Sequence, residues 1–247
     1  MIQAVVTKGK GVDLDRARRI AERFETQVTT TIPEDTSAMY FLMDKGGLSF
    51  VAGGQELRGD FTRLLSRVTG GHLQHEILLK AAKSSGMEEG MRAVDCTAGM
   101  GEDSFILAAG GYSVELFEHN PITATLLSDA LIRAKNHGQL KEIARRMTLK
   151  EGDSKELLSQ LSYVPDVIYL DPMFPEKKKS AETKKKLQIL HQIENPCGDE
   201  EELIQKALLV GAKKIIIKRP PDGPYLAGIT PSYSVTRKAV RFDCLIP

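Results

Sequence analysis

Asp171-Pro172-Met173-Phe174 closes an apolar run, Val167-Ile168-Tyr169-Leu170, and is followed by six lysines between positions 177 and 186. An acid, a rigid turn and an aromatic ring in that order suit the capture of a planar NH2 group. Such an amine conjugates its lone pair into the ring that bears it, so it is a poor nucleophile. The Asp171 carboxylate and the Pro172 main-chain carbonyl are two acceptors able to hold its hydrogens and turn the lone pair toward an electrophile, while Phe174 stacks on the base face. The gain is orientation, together with acceptors aimed at positive charge developing on nitrogen. No strong general base is needed. Base stacking on an aromatic side chain contributes roughly 1 to 3 kcal/mol, enough to hold an unstacked nucleotide. Lys177, Lys178, Lys179, Lys184 and Lys185 would border the entrance and meet phosphates. Asp-Pro alone reads more simply as a structural turn. A lysine run is commonly a solvated helix face, here diluted by Glu176 and Glu182. The rest of the sequence favours the clamp.

A donor must lie beside that clamp. In an open α/β sheet, ligands bind beyond the carboxyl ends of the strands, where the winding reverses, and acidic residues recur at those places. Asp95 closes a first strand ahead of a turn holding Gly99 and Gly101, whose glycines permit a tight bend and close approach of a ligand to the main chain. Ser104 replaces the third glycine of GxGxxG, and no phosphate-gripping lysine follows. Glu118 ends the second strand, where a carboxylate can accept from both hydroxyls of an adenosine ribose; this fits NAD and S-adenosylmethionine equally. Asp153, after the third strand, either accepts from an adenine amino group or caps the helix that begins Ser154-Lys155-Glu156.

The elements that must position these residues alternate. Strand-like runs at 93–96, 112–118, 147–152, 166–171 and 213–219 are separated by helical patterns, one of them opened by Asn120-Pro121 and closed near His137-Gly138. Strands with intervening helices predict a parallel sheet covered on both faces. Two final runs, SYSVT and AVRFDCLI, have no helix between them and predict an antiparallel edge. Residues 1–62 read as a smaller α+β subdomain, with a helix capped by Asp13 and a hairpin across Lys45-Gly46-Gly47; residues 63–247 read as the main domain. Between them lies a connector rich in Arg and Gly, then a helix expected to stop at Gly86. The fold class is thus α/β, a Rossmann-like sheet, mostly parallel with an antiparallel C-terminal edge.

A chain of 247 residues with 41% apolar and 27% charged residues can bury a sizeable core. No apolar run approaches the length of a membrane helix, and the start lacks the layout of a secretory signal, so a cytoplasmic protein is expected. Cys96, Cys197 and Cys244 are dispersed, odd in number and without a CxxC pair, which argues against a disulfide framework or a zinc knuckle. His72-Leu73-Gln74-His75-Glu76 matches neither HExxH nor HxxEH, and no metal is expected. A net charge of +1 leaves no global basic field, so any contact with nucleic acid is local. Beyond the lysine run, Arg63, Arg67, Lys218 and Arg219 are able to face RNA; Arg219, at the ligand edge before Pro220-Pro221, ranks first.

The DPMF turn has the layout of the [D/N]-P-P-[F/Y] turn of methyltransferases acting on exocyclic or amide nitrogens, with Met173 for the second proline. In combination, D-C-T-A-G-M-G-E-D-S, L-F-E-H-N-P, Y-L-D-P-M-F-P with K-S-A behind it, and I-I-I-K-R-P resemble the bacterial small-subunit ribosomal RNA guanine-N2 methyltransferase J family over nearly the whole chain. The resemblance implies a class I methyltransferase domain that uses S-adenosylmethionine to methylate N2 of a guanosine in 16S ribosomal RNA, with naked RNA or the assembled small subunit as partner. Carried over by position, it implies cofactor contacts at Glu102 and Asp103, Glu118 and His119, Asp153 and Ser154, and Asp171. Glu102 stands where the family pattern has a basic residue. The same clamp serves other acceptors, adenine N6 in nucleic acid or a protein glutamine. A nicotinamide oxidoreductase would need a proton-transfer pair that DPMF does not supply, and a silent RNA-binding module would not need the clamp.

Overall fold

The structure, a computed structural model, describes residues 1–83, 90–172 and 200–247. The N-terminal part comprises β1 (Ile2–Thr7), α1 (Leu14–Arg23), β2 (Gln27–Thr29), β3 (Met39–Asp44), β4 (Gly47–Ala52) and β5 (Gln55–Leu57). Helix α1 starts where the Asp13 carboxylate accepts from the Arg16 N–H, and it buries Ala17, Ile20 and Ala21 on one face. Strands β3 and β4 form the expected hairpin, in register from Tyr40 opposite Val51 to Asp44 opposite Gly47. The sheet runs β2-β1-β3-β4-β5. Because side chains alternate along a strand, Val5, Phe41 and Phe50 pack with α1 on one face, and Ala4, Val6, Tyr40 and Val51 cluster on the other.

The connector contains α2 (Leu65–Val68) and α3 (Ile77–Ala82). Helix α3 ends at Ala82, earlier than the expected stop at Gly86, which lies outside the described residues. There follow β6 (Arg92–Asp95), α4 (Glu102–Ala109), β7 (Ser113–Glu118), α5 (Pro121–Lys135), α6 (Lys141–Ala144), β8 (Met147–Glu151), α7 (Ser154–Ser159) and β9 (Val167–Leu170). The last described elements are α8 (Glu200–Leu209), β10 (Lys214–Arg219), β11 (Tyr233–Arg237) and β12 (Val240–Leu245). These strands form one seven-stranded sheet in the order β11-β12-β10-β9-β6-β7-β8. Pairs among β10, β9, β6, β7 and β8 are parallel, and β12 is antiparallel to both β10 and β11, which is the expected C-terminal edge.

Continuous apolar runs such as Val167-Ile168-Tyr169-Leu170 suit a sheet buried on both faces. Val167 and Tyr169 face a core with Phe105, Leu107 and Leu131; Ile168 and Leu170 face another with Leu158, Leu203 and Ile204. Each such side chain, fully buried, stabilises by about 1.5 to 3 kcal/mol before ordering costs. From β6 the chain winds through β7 to β8 on one side, then returns to β9 and β10 on the other. The winding therefore reverses between β6 and β9, which places the carboxyl ends bearing Asp95 and Asp171 side by side.

The N-terminal sheet packs on α5. Asp129, 1% exposed, accepts from Arg16 Nη1 and Arg133 Nε at 2.7 Å each and from the Leu48 N–H at 3.1 Å, and Leu126 of the same helix enters the core beneath β3 and β4.

Candidate active site

At the end of β6, Asp95 is 1% exposed; it accepts from the Ser104 hydroxyl at 2.5 Å and from the Thr97 N–H at 3.0 Å. Burial pushes its carboxyl up to about 7, against these two bonds. Ser104 thus occupies the third-glycine position because Asp95 needs a donor there. Gly101 has φ +75° and a Cβ on it would lie 2.8 Å from Leu127 Cδ1, so packing demands that glycine. Gly99, φ +52°, has open space beside it, since a Cβ would meet only the Thr97 carbonyl at 3.9 Å.

Glu118 ends β7 and fastens the same turn. Its Oε2 accepts from the Gly99 N–H and its Oε1 from the Asn120 N–H, both at 2.8 Å. Burial raises its pKa, and the Asn120 bond works the other way. His119 is exposed, its Nδ1 3.6 Å from Glu118 Oε1. Asp153 caps α7, accepting from the Lys155 N–H at 2.8 Å, while the buried Ser154 hydroxyl donates to the Cys96 carbonyl at 2.5 Å and pins α7 to the end of β6. Glu102, on the first turn of α4, is exposed. Asp103 accepts from Tyr169 Oη at 2.7 Å and from Lys218 Nζ at 2.6 Å. Burial opposes its ionisation, yet the Lys218 ammonium holds its carboxyl below the usual value.

Asp171 follows β9 and is tied at two points. Its N–H donates to Thr97 Oγ1 at 2.6 Å and its Oδ2 accepts from Lys218 Nζ at 2.9 Å, with 38% of the side chain exposed. Pro172 is buried. Phe174 and Lys177, Lys178, Lys179, Lys184 and Lys185 lie outside the described residues. Arg219 differs from the exposed position expected of an RNA-facing residue: it is 3% exposed and its Nε donates to the Pro224 carbonyl at 2.8 Å. Strand alternation is the reason, since the neighbour Lys218 points to the acids and Arg219 to the opposite side. Thr97 is a site residue that reading for acids and glycines overlooked, and Lys218, expected with Arg219 to face RNA, instead bridges Asp103 and Asp171. The sheet register decides the position of Lys218, because Ile217 pairs with Leu170 and puts residue 218 level with Asp171.

The strand order, the reversal between β6 and β9, and acids at four neighbouring strand ends define the class I methyltransferase architecture. A family model described as "Putative SAM-dependent methyltransferase" matches residues 30–247. A protein of Tolumonas auensis named ribosomal RNA small subunit methyltransferase J is 39% identical over 168 residues, covering 67% of this chain and 68% of that protein. A protein of the same name from Hydrogenovibrio crunogenus is 44% identical over 153 residues, or 61% of this chain; the match spans only 55% of that relative's length. The crystal structure of a SAM-dependent methyltransferase from Neisseria gonorrhoeae superposes with a TM-score of 0.75 at 29% identity, covering 99% of this chain and 96% of that one. The chain belongs to the SAM-dependent methyltransferase family, in the branch of ribosomal RNA small subunit methyltransferase J.

S-adenosylmethionine is the cofactor of this family, and the donor set suits it. Glu118 is a buried carboxylate at the end of β7, open space adjoins Gly99, and Asp103 and Asp171 share the one Lys218 ammonium between two carboxylates, which leaves the sign a sulfonium needs. Among the described residues no cluster of His, Cys, Asp and Glu could hold a metal ion, and no helix is long and apolar enough to cross a membrane.

Proposed function

We propose that the protein transfers a methyl group from S-adenosylmethionine to the exocyclic N2 of a guanosine in small-subunit (16S) ribosomal RNA, as naked RNA or in the assembled small subunit, in the cytoplasm. One observation carries the reading. Asp171 leaves β9 at the point where the winding reverses, is held by main chain and side chain, and keeps over a third of its side chain accessible beside the glycine turn. The names of the relatives support the RNA substrate.

In this reading Asp171 and the Pro172 carbonyl accept the two hydrogens of the amine and aim its lone pair, and Phe174 stacks on the base. The Asp171 carboxylate also stabilises positive charge as it develops on nitrogen. The cofactor supplies an electrophilic methyl on sulfur. Glu118 takes the ribose, with Gly99, Gly101, Asp95, Glu102, Asp103, His119, Asp153 and Ser154 around the remainder. Lys177, Lys178, Lys179, Lys184 and Lys185 contact phosphates.

Incubation with labelled S-adenosylmethionine and small-subunit RNA from a strain lacking the protein, followed by mass spectrometry of the nucleosides, tests this. N2-methylguanosine is expected, and Asp171→Ala should abolish it. Label on adenine or on protein would redirect the assignment to another nitrogen acceptor, and full activity of Asp171→Ala would sink the clamp.

A further inference from the structure

Lys218 lies in β10 directly after Ile217, which pairs with Leu170 of β9. Its ammonium sits between two carboxylates, 2.6 Å from Asp103 Oδ2 and 2.9 Å from Asp171 Oδ2. Asp103 belongs to the helix that opens after the glycine turn; Asp171 belongs to the turn that takes the amine. A single cation therefore joins the donor side of the site to the acceptor side. A lysine that served phosphates would extend into water, whereas this side chain keeps 32% of its surface.

The charges around it explain why a cation is required. Asp103 comes from α4, the Tyr169 hydroxyl from β9, Asp171 from the turn that follows it, Asp95 from β6, Arg67 of α2 acts on Asp103, and Arg219 of β10 acts on Asp171. Carboxylates gathered this closely disfavour one another's ionisation. Were Asp171 to take up a proton, it would turn an O–H toward an amine that is itself a donor, and the clamp would lose an acceptor. Burial works against the Lys218 ammonium, but the two flanking carboxylates outweigh it and raise its pKa.

We propose that Lys218 is a positioning residue for methyl transfer, its ammonium keeping Asp171 ionised and aimed while anchoring it to Asp103. The inference rests on the N-methyltransferase reading, in which Asp171 is the acceptor.

The test uses the full chain, first without RNA. Aspartate carboxyl carbons are labelled with carbon-13, the Asp171 signal is identified by its loss in Asp171→Asn, and its titration is followed in wild type, Lys218→Met and Lys218→Arg. In Lys218→Met the Asp171 midpoint should rise by about one pH unit or more, and Lys218→Arg should restore it. An unmoved midpoint in Lys218→Met overturns the proposal. Single-turnover transfer to small-subunit RNA should be at least about tenfold slower in Lys218→Met at acidic pH, the deficit narrowing as pH rises. A shifted midpoint with an unchanged rate overturns the positioning role. Wild type that transfers nothing to any RNA sinks the methyltransferase reading, whereas the charge pairing is read by the titration alone. Circular dichroism and thermal unfolding of both variants separate these effects from loss of fold.

Discussion

The Asp171 N–H donates to Thr97 Oγ1 at 2.6 Å, which fastens the turn after β9 to the turn after β6. Thr97 in turn gives its own N–H to Asp95 at 3.0 Å. One side chain thus couples the glycine turn after β6 to Asp171, the acceptor of the amine in the proposed function.

Thr97→Val keeps the shape of the side chain and removes the oxygen. Methyl transfer should fall by about tenfold or more, since small displacements of an orienting group are costly, and stability should drop by about 1 kcal/mol for the lost bond. Thr97→Ser restores the oxygen and should recover most of the rate. Single-turnover rates for the three proteins decide it; equal rates in wild type and Thr97→Val would show that the link is incidental.

Asp95 makes stability depend on pH. Its folded pKa, about 7, lies above the ordinary 3.8, so the folded state binds the proton more tightly than the unfolded chain. The associated stabilisation is complete below the unfolded value and is lost as pH rises through 7, on the order of 1 kcal/mol per pH unit within the window. Paired carboxylates such as Asp103 and Asp44 run the opposite way, so the difference between proteins is the useful quantity. Urea unfolding of wild type and Asp95→Asn at about pH 5 and about pH 8 should show the variant gaining relative to wild type at the higher pH. A difference that does not vary with pH would contradict this.

Glu118 accepts from two main-chain donors, those of Gly99 and Asn120. In Glu118→Gln, a carboxamide must turn its NH2 toward one of them, leaving a donor facing a donor. The loss is expected at about 1 to 3 kcal/mol in stability. Affinity for S-adenosylmethionine, measured by calorimetry, should weaken by about tenfold or more, since the proposed function makes this carboxylate the acceptor for the ribose. Unchanged affinity would remove Glu118 from the cofactor site.

Asp129 of α5 joins the main domain to Arg16 of α1 and Leu48 of β4, and is held by Arg133 one turn along its own helix. Asp129→Ala removes a buried carboxylate from two partly buried guanidinium groups, of which Arg133 keeps its bond to the Gly59 carbonyl, and leaves the Leu48 N–H without its acceptor, a change expected to cost about 3 kcal/mol. Both parts should unfold in one urea transition in wild type. In the variant, a separate early loss of signal from the N-terminal part would identify this clasp as what couples them.

Much of the architecture was legible in the one-dimensional pattern. The strand runs at 113–118, 147–151 and 167–170, the Asn120-Pro121 start and the Asp13 cap depend on neighbours in sequence, whose periodicity and hydrogen bonding are local. Acids at strand ends were visible for the same reason, because a parallel sheet aligns those ends. Helix α3 ended earlier than Gly86 suggested, since Lys214 Nζ donates to the Ala81 and Lys83 carbonyls and satisfies that terminus from another strand.

The amino-acid order by itself determined the class of fold, the family and the cluster of acids and glycines from which the site is built, because those follow from short-range spacing. Only the tertiary structure decided that Lys218 bridges Asp103 and Asp171 while Arg219 is buried, and that Thr97 holds the Asp171 backbone. Such pairings join residues from separate strands and turns, far apart in the chain, and their partners are chosen by sheet register and by the need of buried charge for a counter-charge.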